Sequence, residues 1–282
     1  MSTDAKVWLD GAIVDADAAR VSPFDHGLLV GDGVFETLRV YGGVPFAWRR
    51  HHERLVESAA GLALALPDAS TLRAAVDAVI GANGIDEGRL RITVTGGPAP
   101  LGSERGESPP TVIVAVTQMT PWPPSAAVVT VEWLRNERSA TAGIKTISYA
   151  ENVRALAAAH ERGASEALFC NTRGELCEAT GSNVFLVTRS TVVTPSADSG
   201  CLRGVTRALV LELCAQHRID VEDRAVAPTE LTTCDEAFLT SSTREVQPIS
   251  HIDDRELARV PGPVTERLAA LFRELVAENL DP

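Results

Sequence analysis

The sequence has very little lysine. Of its 26 lysine and arginine residues, only Lys6 and Lys145 are lysines. Arginine serves equally well as a solvated charge, but a guanidinium stays protonated and cannot replace an amine that must attack a carbonyl. Lys6 lies in a polar segment, whereas Lys145 lies between an apolar stretch and a helix-like one, where partial burial would lower the pKa of its amine. Position alone leaves two readings open, a nucleophilic amine and a residual surface lysine.

Several other features are missing, and each absence excludes a class of protein. The net charge is -12 and no basic run occurs, which argues against a nucleic-acid-binding protein. The apolar runs are too short to span a membrane, and the polar Met1 to Asp4 precede no cleavable apolar core, so we expect no signal peptide. The five cysteines lack paired metal-ligand spacing, which predicts no metal site and reduced, mostly buried thiols in a cytoplasmic protein.

The 282 residues are enough for one large or two ordinary domains. Asp10-Gly11 predicts a hairpin turn between strands at Lys6 to Leu9 and Ala12 to Val14. Further strands are predicted at Arg89 to Thr95 and Thr111 to Thr117. The proline-rich stretch after Gln118 interrupts regular structure. We therefore predict an N-terminal α/β domain at 1–118, a linker at 119–125 and a C-terminal domain at 126–282.

The stretch Val34 to Tyr41 alternates as a strand does. One face would carry Val34, Glu36, Leu38 and Val40, and the other would carry Phe35, Thr37, Arg39 and Tyr41. Aromatic, hydroxyl and guanidinium groups on one face are typical of a pocket wall, with an ordinary solvent face as the alternative.

The second half is rich in strands with helices between them. Strands are predicted at Glu166 to Asn171, Ser182 to Thr188 and Thr191 to Thr194, and helices at Tyr149 to Gly163, at Val205 to His217 and after Thr265 as N-cap. The fold class predicted from these patterns is mixed α/β, with two domains.

Three further groups complement the amine of Lys145. Gly204-Val205-Thr206-Arg207 opens a helix whose free amides suit an anion such as phosphate, although many helices begin this way and bind nothing. Thr240 to Thr243 adds hydroxyls that would complete a phosphate site or merely form a turn. Glu178, which could equally be a surface residue, could pair with a cationic ring nitrogen. An amine, a carboxylate and a phosphate site are together what pyridoxal 5'-phosphate requires.

The sequence also resembles a known family over nearly the whole chain, the class IV aminotransferases of fold type IV. This family includes branched-chain and D-amino acid aminotransferases and aminodeoxychorismate lyases. Six groups of residues carry the resemblance in the family's order: Ser22 to Gly27 with Gly31 to Thr37, His52 to Leu55, Gly143 to Thr146, Glu178 to Phe185, Gly204 to Arg207, and Ser242 to Pro248.

The resemblance implies a role for particular residues. Lys145 would hold the cofactor as a Schiff base and move the substrate Cα proton, and Glu178 would keep the pyridine nitrogen protonated. Tyr149 would contact the cofactor's phenolic oxygen. The phosphate would be held by Arg54, Val205, Thr206, Ser242 and Thr243. The resemblance also implies a homodimer whose partner helps to wall the active site.

Three functions follow as expectations. The first is a transaminase that moves an amino group between an amino acid and a 2-keto acid, the second is a 4-amino-4-deoxychorismate lyase that eliminates pyruvate, and the third is a non-catalytic protein that binds the cofactor. A transaminase needs a cation for the substrate carboxylate. The candidate substrate residues are Phe35, Arg39, Arg91, Arg138 and Arg244. Arg244 replaces the small residue expected before Glu245, so it either reaches into the pocket or points to solvent.

Overall fold

The computed structural model describes residues 5–282, which form two compact units. The first unit contains the described residues up to Thr120 together with Ile144–Tyr149 and Asn279–Pro282; the second contains Pro121–Gly143 and Ala150–Glu278. The domain boundaries drawn from the sequence stay a prediction, and they do not anticipate that residues 144–149 lie with the first unit. Residues 1–4, on which the argument against a signal peptide rests, lie outside the described residues.

The first unit is built on an antiparallel sheet of six strands in the order β2-β1-β6-β5-β3-β4. The strands are β1 (Lys6–Leu9), β2 (Ala12–Asp15), β3 (Gly33–Tyr41), β4 (Val44–Pro45), β5 (Gly88–Thr95) and β6 (Val112–Gln118). The helices are α1 (His26–Val30), α2 (Trp48–Gly61) and α3 (Ala69–Asn83). The predicted hairpin is confirmed, since Leu9 pairs with Ala12 across Asp10-Gly11.

The two faces of β3 differ as the alternation predicts. Val34, Leu38 and Val40 are fully buried in a core that α2 and α3 complete. Glu36 lies on this same face and is also fully buried, which is costly for a carboxylate unless it is paired. The opposite face carries Phe35 and leaves Thr37, Arg39 and Tyr41 partly exposed. The polar face of this sheet can therefore line a binding site.

The second unit is built on a mixed sheet in the order β12-β11-β10-β13-β14-β7-β8-β9, with β15 paired to β14. Its strands are β7 (Ala126–Arg135), β8 (Glu166–Asn171), β9 (Leu176–Ala179), β10 (Asn183–Thr188), β11 (Thr191–Pro195), β12 (Val221–Arg224), β13 (Glu236–Ser241), β14 (Glu245–Ile252) and β15 (Arg255–Glu256). Its helices are α4 (Ala150–Glu161), α5 (Val205–Gln216) and α6 (Pro263–Glu278). Across residues 5–282, no helix has the length and apolar character needed to cross a membrane.

One predicted helix start is wrong. Thr265 was expected to be the N-cap of the last helix, but α6 begins at Pro263. The first-turn amides of Val264 and Thr265 donate instead to the carboxylate of Glu236 on β13, at 3.1 and 2.8 Å. The Glu236 carboxylate, which lies on a distant strand, therefore caps α6 in place of a neighbouring residue, and its negative charge interacts favourably with the positive end of the helix dipole.

Candidate functional site

Lys145 is fixed by backbone contacts in the first unit. The segment Ile144–Tyr149 runs beside the start of β3. The amide of Phe35 donates to the carbonyl of Lys145 at 3.0 Å, and the amide of Ile147 donates to the carbonyl of Gly33 at 2.9 Å. The amide of Lys145 donates to Ser58 Oγ on α2 at 3.2 Å. The chain around Lys145 is therefore held by both a strand and a helix.

The side chains around Lys145 form an aromatic and cationic group. Lys145 Nζ lies 4.3 Å from the centre of the Phe35 ring, and the Arg91 guanidinium carbon lies 3.8 Å from the same centre. The Tyr149 ring meets Phe35 edge-on, with 5.2 Å between centroids. Phe35 thus brings two cations and a phenol together on the polar face of the sheet.

Arg54 is held by the buried carboxylate of Glu36. Its Nε and Nη2 donate to the two carboxylate oxygens, each at 2.8 Å, and His51 Nδ1 lies 2.6 Å from Glu36 Oε2. Burial alone would raise the pKa of Glu36, but Arg54 and His51 outweigh it and hold that pKa well below its usual value. Burial lowers the pKa of His51 against the opposing effect of Glu36. The result is a rigid, permanently charged guanidinium.

In the second unit, Glu178 lies on β9 and contacts a backbone amide and an arginine. Its Oε2 accepts a hydrogen bond from the Leu202 amide at 3.0 Å, and its Oε1 lies 3.5 Å from Arg135 Nε. Both contacts favour the ionised carboxylate that a cationic ring nitrogen would need. Arg135 was missed in the sequence, because nothing local signals that the end of β7 lies near β9.

Four of the five candidate phosphate residues, Val205, Thr206, Ser242 and Thr243, belong to the second unit. The N-cap of α5 is Gly204, which has no side chain to satisfy the first-turn amides. A Cβ at Gly204 would lie 2.1 Å from Asn183 Oδ1, and Asn183 pairs with Thr240 at the end of β13, just before Ser242 and Thr243. The buried Thr240 Oγ1 has no hydrogen-bond partner among the described residues. An unpartnered hydroxyl beside a helix start fits a phosphate.

The four candidate substrate arginines have different surroundings. Arg39 pairs with Glu87 at 2.5 Å. Arg138 is exposed on the turn after β7. Arg244 is buried, pairs with Glu166 at 3.2 Å and stacks on Trp122 at 3.7 Å, so it does not point to solvent. Arg91 has no ion-pair partner among the described residues, and its Nε donates a hydrogen bond to Thr93 Oγ1 at 3.0 Å. Burial lowers its pKa.

The chain belongs to the class IV aminotransferase family, whose model matches residues 33–252. It is 31% identical to D-alanine aminotransferase of Bacillus licheniformis, over 97% of this chain and 98% of that one. It is 29% identical to branched-chain-amino-acid aminotransferase of Pseudomonas aeruginosa, over 97% and 94%. The crystal structure of the T.th. branched-chain amino acid aminotransferase with pyridoxamine 5'-phosphate has a TM-score of 0.91 and 28% identity, covering 98% of this chain and 95% of that one. The predicted family and fold class are confirmed.

Proposed function

We propose that this chain is a pyridoxal-phosphate-dependent transaminase that moves an amino group between an amino acid and a 2-keto acid. The observation that carries the proposal is the placement of Lys145. One of only two lysines in the sequence, it is anchored through its backbone by Phe35 and Ser58, with its amine against the Phe35 ring beside Tyr149 and Arg91. Membership of the class IV aminotransferases supports the same reaction.

The residues of each unit fit the cofactor. Lys145 would hold it, with Arg54 as a fixed cation for its phosphate and Tyr149 for its phenolic oxygen. In the second unit, Glu178 would bind the ring nitrogen, and the phosphate would be bound by Val205, Thr206, Ser242 and Thr243. Pyridoxal phosphate, when bound, supplies an electron sink for negative charge at the substrate Cα.

The chain's own groups would supply positioning and proton transfer. The Lys145 amine would take the Cα proton and return it, which requires that it lose and regain charge during the cycle. Glu178, which accepts a hydrogen bond from the Leu202 amide and lies near Arg135, would keep the ring nitrogen protonated. Among the candidate arginines, Arg91 suits the substrate carboxylate best, because it lies beside Lys145 and has no carboxylate partner among the described residues.

We also propose that the chain forms a homodimer in the cytoplasm. Phe24, Leu28 and Leu101 are 52%, 69% and 75% exposed, and exposed apolar side chains of this size suit burial against a second copy of the chain. The five cysteines are free thiols and four of them are buried, which suits a reducing compartment.

A half-reaction tests the transaminase directly. When the purified holoenzyme is mixed with an amino acid and no keto acid, the visible absorbance of the bound cofactor should disappear and one equivalent of keto acid should form. Separate mixtures with D- and L-amino acids reveal the handedness of the substrate.

The other outcomes separate the alternatives. If no amino acid bleaches the absorbance, the transaminase proposal is wrong, and aminodeoxychorismate is added next. Release of pyruvate and 4-aminobenzoate would then identify the lyase. Cofactor binding with neither reaction would identify a non-catalytic protein.

The role proposed for Arg91 predicts a selective loss of substrate affinity. Arg91→Gln should raise the KM for the amino acid by about 10-fold or more, as expected for a lost charge-assisted hydrogen bond. The matched variant is Arg39→Gln, since Arg39 lies on the same sheet face but pairs with Glu87. It should change KM by less than about threefold, because Arg39 is paired with Glu87 and the loss of such a partly exposed ion pair has a small energetic effect. Equal effects in both variants would remove Arg91 from the substrate site.

A further inference from the structure

Helix α2 lacks a cap of its own. Its N-cap residue is Ala47, whose φ of 53° is left-handed and whose methyl group accepts no hydrogen bond. By contrast, α3 in the same unit is capped by Asp68, whose Oδ1 accepts from the amide of Thr71 at 2.9 Å. The first-turn amides of a helix need such acceptors, so α2 must obtain them elsewhere.

The acceptors come from residues 280–282, which belong to the first unit. The carbonyl of Leu280 accepts from the Ala47 amide at 2.7 Å, and Asp281 Oδ1 accepts from the Arg49 amide at 2.9 Å. The carbonyl of Pro282 accepts from Arg50 Nε at 2.8 Å. Asp281 therefore satisfies the amide that a side-chain cap normally satisfies, and its charge suits the positive end of the helix.

The first turns of α2 carry the groups that hold Glu36. The first intrahelical hydrogen bond runs from the His51 amide to the carbonyl of Ala47, at 3.1 Å, and Ala47 is the residue that Leu280 holds. The side chain of His51 and that of Arg54, which lies one turn later, both bind Glu36. If the start of α2 unwinds, the helical backbone that orients the side chains of His51 and Arg54 is no longer fixed.

We propose that Asp281, with the backbone of residues 280–282, is a positioning element that caps α2 and thereby fixes Arg54 for the cofactor phosphate. This inference rests on the proposed function for the assignment of the phosphate to Arg54. The capping itself is independent of that assignment.

The experiment compares Asp281→Ala with Asp68→Ala. Both remove an aspartate cap from a helix of the first unit, but α3 carries none of the candidate site residues. Hydrogen exchange of the cofactor-free proteins should show the amides of residues 47–51 exchanging about fivefold faster in Asp281→Ala, the equivalent of one typical cap. In Asp68→Ala these amides should exchange at the wild-type rate.

The dissociation constant for pyridoxal phosphate, measured by titration, should rise about fivefold in Asp281→Ala and stay at the wild-type value in Asp68→Ala. Asp281→Asn keeps an oxygen acceptor and should restore most of the affinity. Unchanged exchange at 47–51 would overturn the cap. Faster exchange with unchanged affinity, or an equal loss of affinity in Asp68→Ala, would overturn the positioning of Arg54. A wild-type protein that binds no pyridoxal phosphate would instead overturn the proposed function and leave the exchange result standing.

Discussion

Replacement of Lys145 by alanine should lower transaminase turnover by about 10³-fold or more, the range expected when the group that transfers the Cα proton is removed. The visible absorbance of the bound cofactor should be lost as well, because no other amine lies on the segment Ile144–Tyr149. The measurements are kcat for the coupled reaction and the absorption spectrum of protein reconstituted with pyridoxal phosphate.

Two variants sharpen this test. Lys6→Ala removes the other lysine of the chain, which pairs with Asp15 on the first hairpin, and turnover should stay at the wild-type rate. Lys145→Arg keeps the positive charge near Phe35 but supplies no amine that can lose its proton, so it should be as inactive as alanine. Full turnover in Lys145→Ala would refute the role of Lys145, and activity in Lys145→Arg would mean that only its charge matters.

Composition and periodicity predict much of this protein. The scarcity of lysine narrows the candidate amines to Lys6 and Lys145, and the alternation of Val34 to Tyr41 places Val34, Leu38 and Val40 on one face, where they are buried. Strand periodicity and hairpin turns are local properties, so they are visible in a short stretch of sequence. The start of α5 at Gly204 is likewise predicted from the local sequence.

What the sequence does not reveal depends on contacts between distant residues. Glu36 looks like one polar residue on a strand, yet its partners lie 15 and 18 residues later on a helix. Arg135 reaches Glu178 only because β7 and β9 both flank β8. Glu236 and Asp281 cap α6 and α2 from afar, which a search for capping residues next to each helix cannot find. In each case a buried charge or helix end must be satisfied, but the partner is chosen by the fold.

Glu36→Gln should destabilise the protein by about 3–5 kcal/mol at pH 7, because it removes the fully buried carboxylate that pairs with the largely buried guanidinium of Arg54. Glutamine has nearly the same volume, so the loss measures charge pairing and not a cavity. The matched variant is Glu87→Gln: Glu87 pairs with Arg39 but is 46% exposed, and its loss should cost no more than about 1 kcal/mol. Both values can be measured as free energies of unfolding in urea.

The pH dependence gives this prediction a second, independent signature. Arg54 and His51 lower the pKa of Glu36 in the folded state, so the unfolded state takes up the proton first on acidification. The stability contributed by Glu36 is therefore fully present above its ordinary pKa of 4.5 and is lost as the pH falls from there toward the lower folded-state pKa. The difference in unfolding free energy between wild type and Glu36→Gln should stay constant above about pH 6.5, where His51 does not yet take up a proton, and should shrink below 4.5 as wild type loses the contribution of Glu36.

His51 adds an earlier loss in both proteins, and this loss should be larger in Glu36→Gln, which lacks the carboxylate that raises the pKa of His51. Burial lowers its pKa below 6.5, so the unfolded state binds a proton before the folded state does, and stability falls as the pH drops below about 6.5. A difference between the two proteins that does not shrink at acid pH would mean that Glu36 is not ionised in the folded state. Arg54 would then lack the carboxylate charge that holds it, and the assignment of the cofactor phosphate to this guanidinium would lose its electrostatic basis.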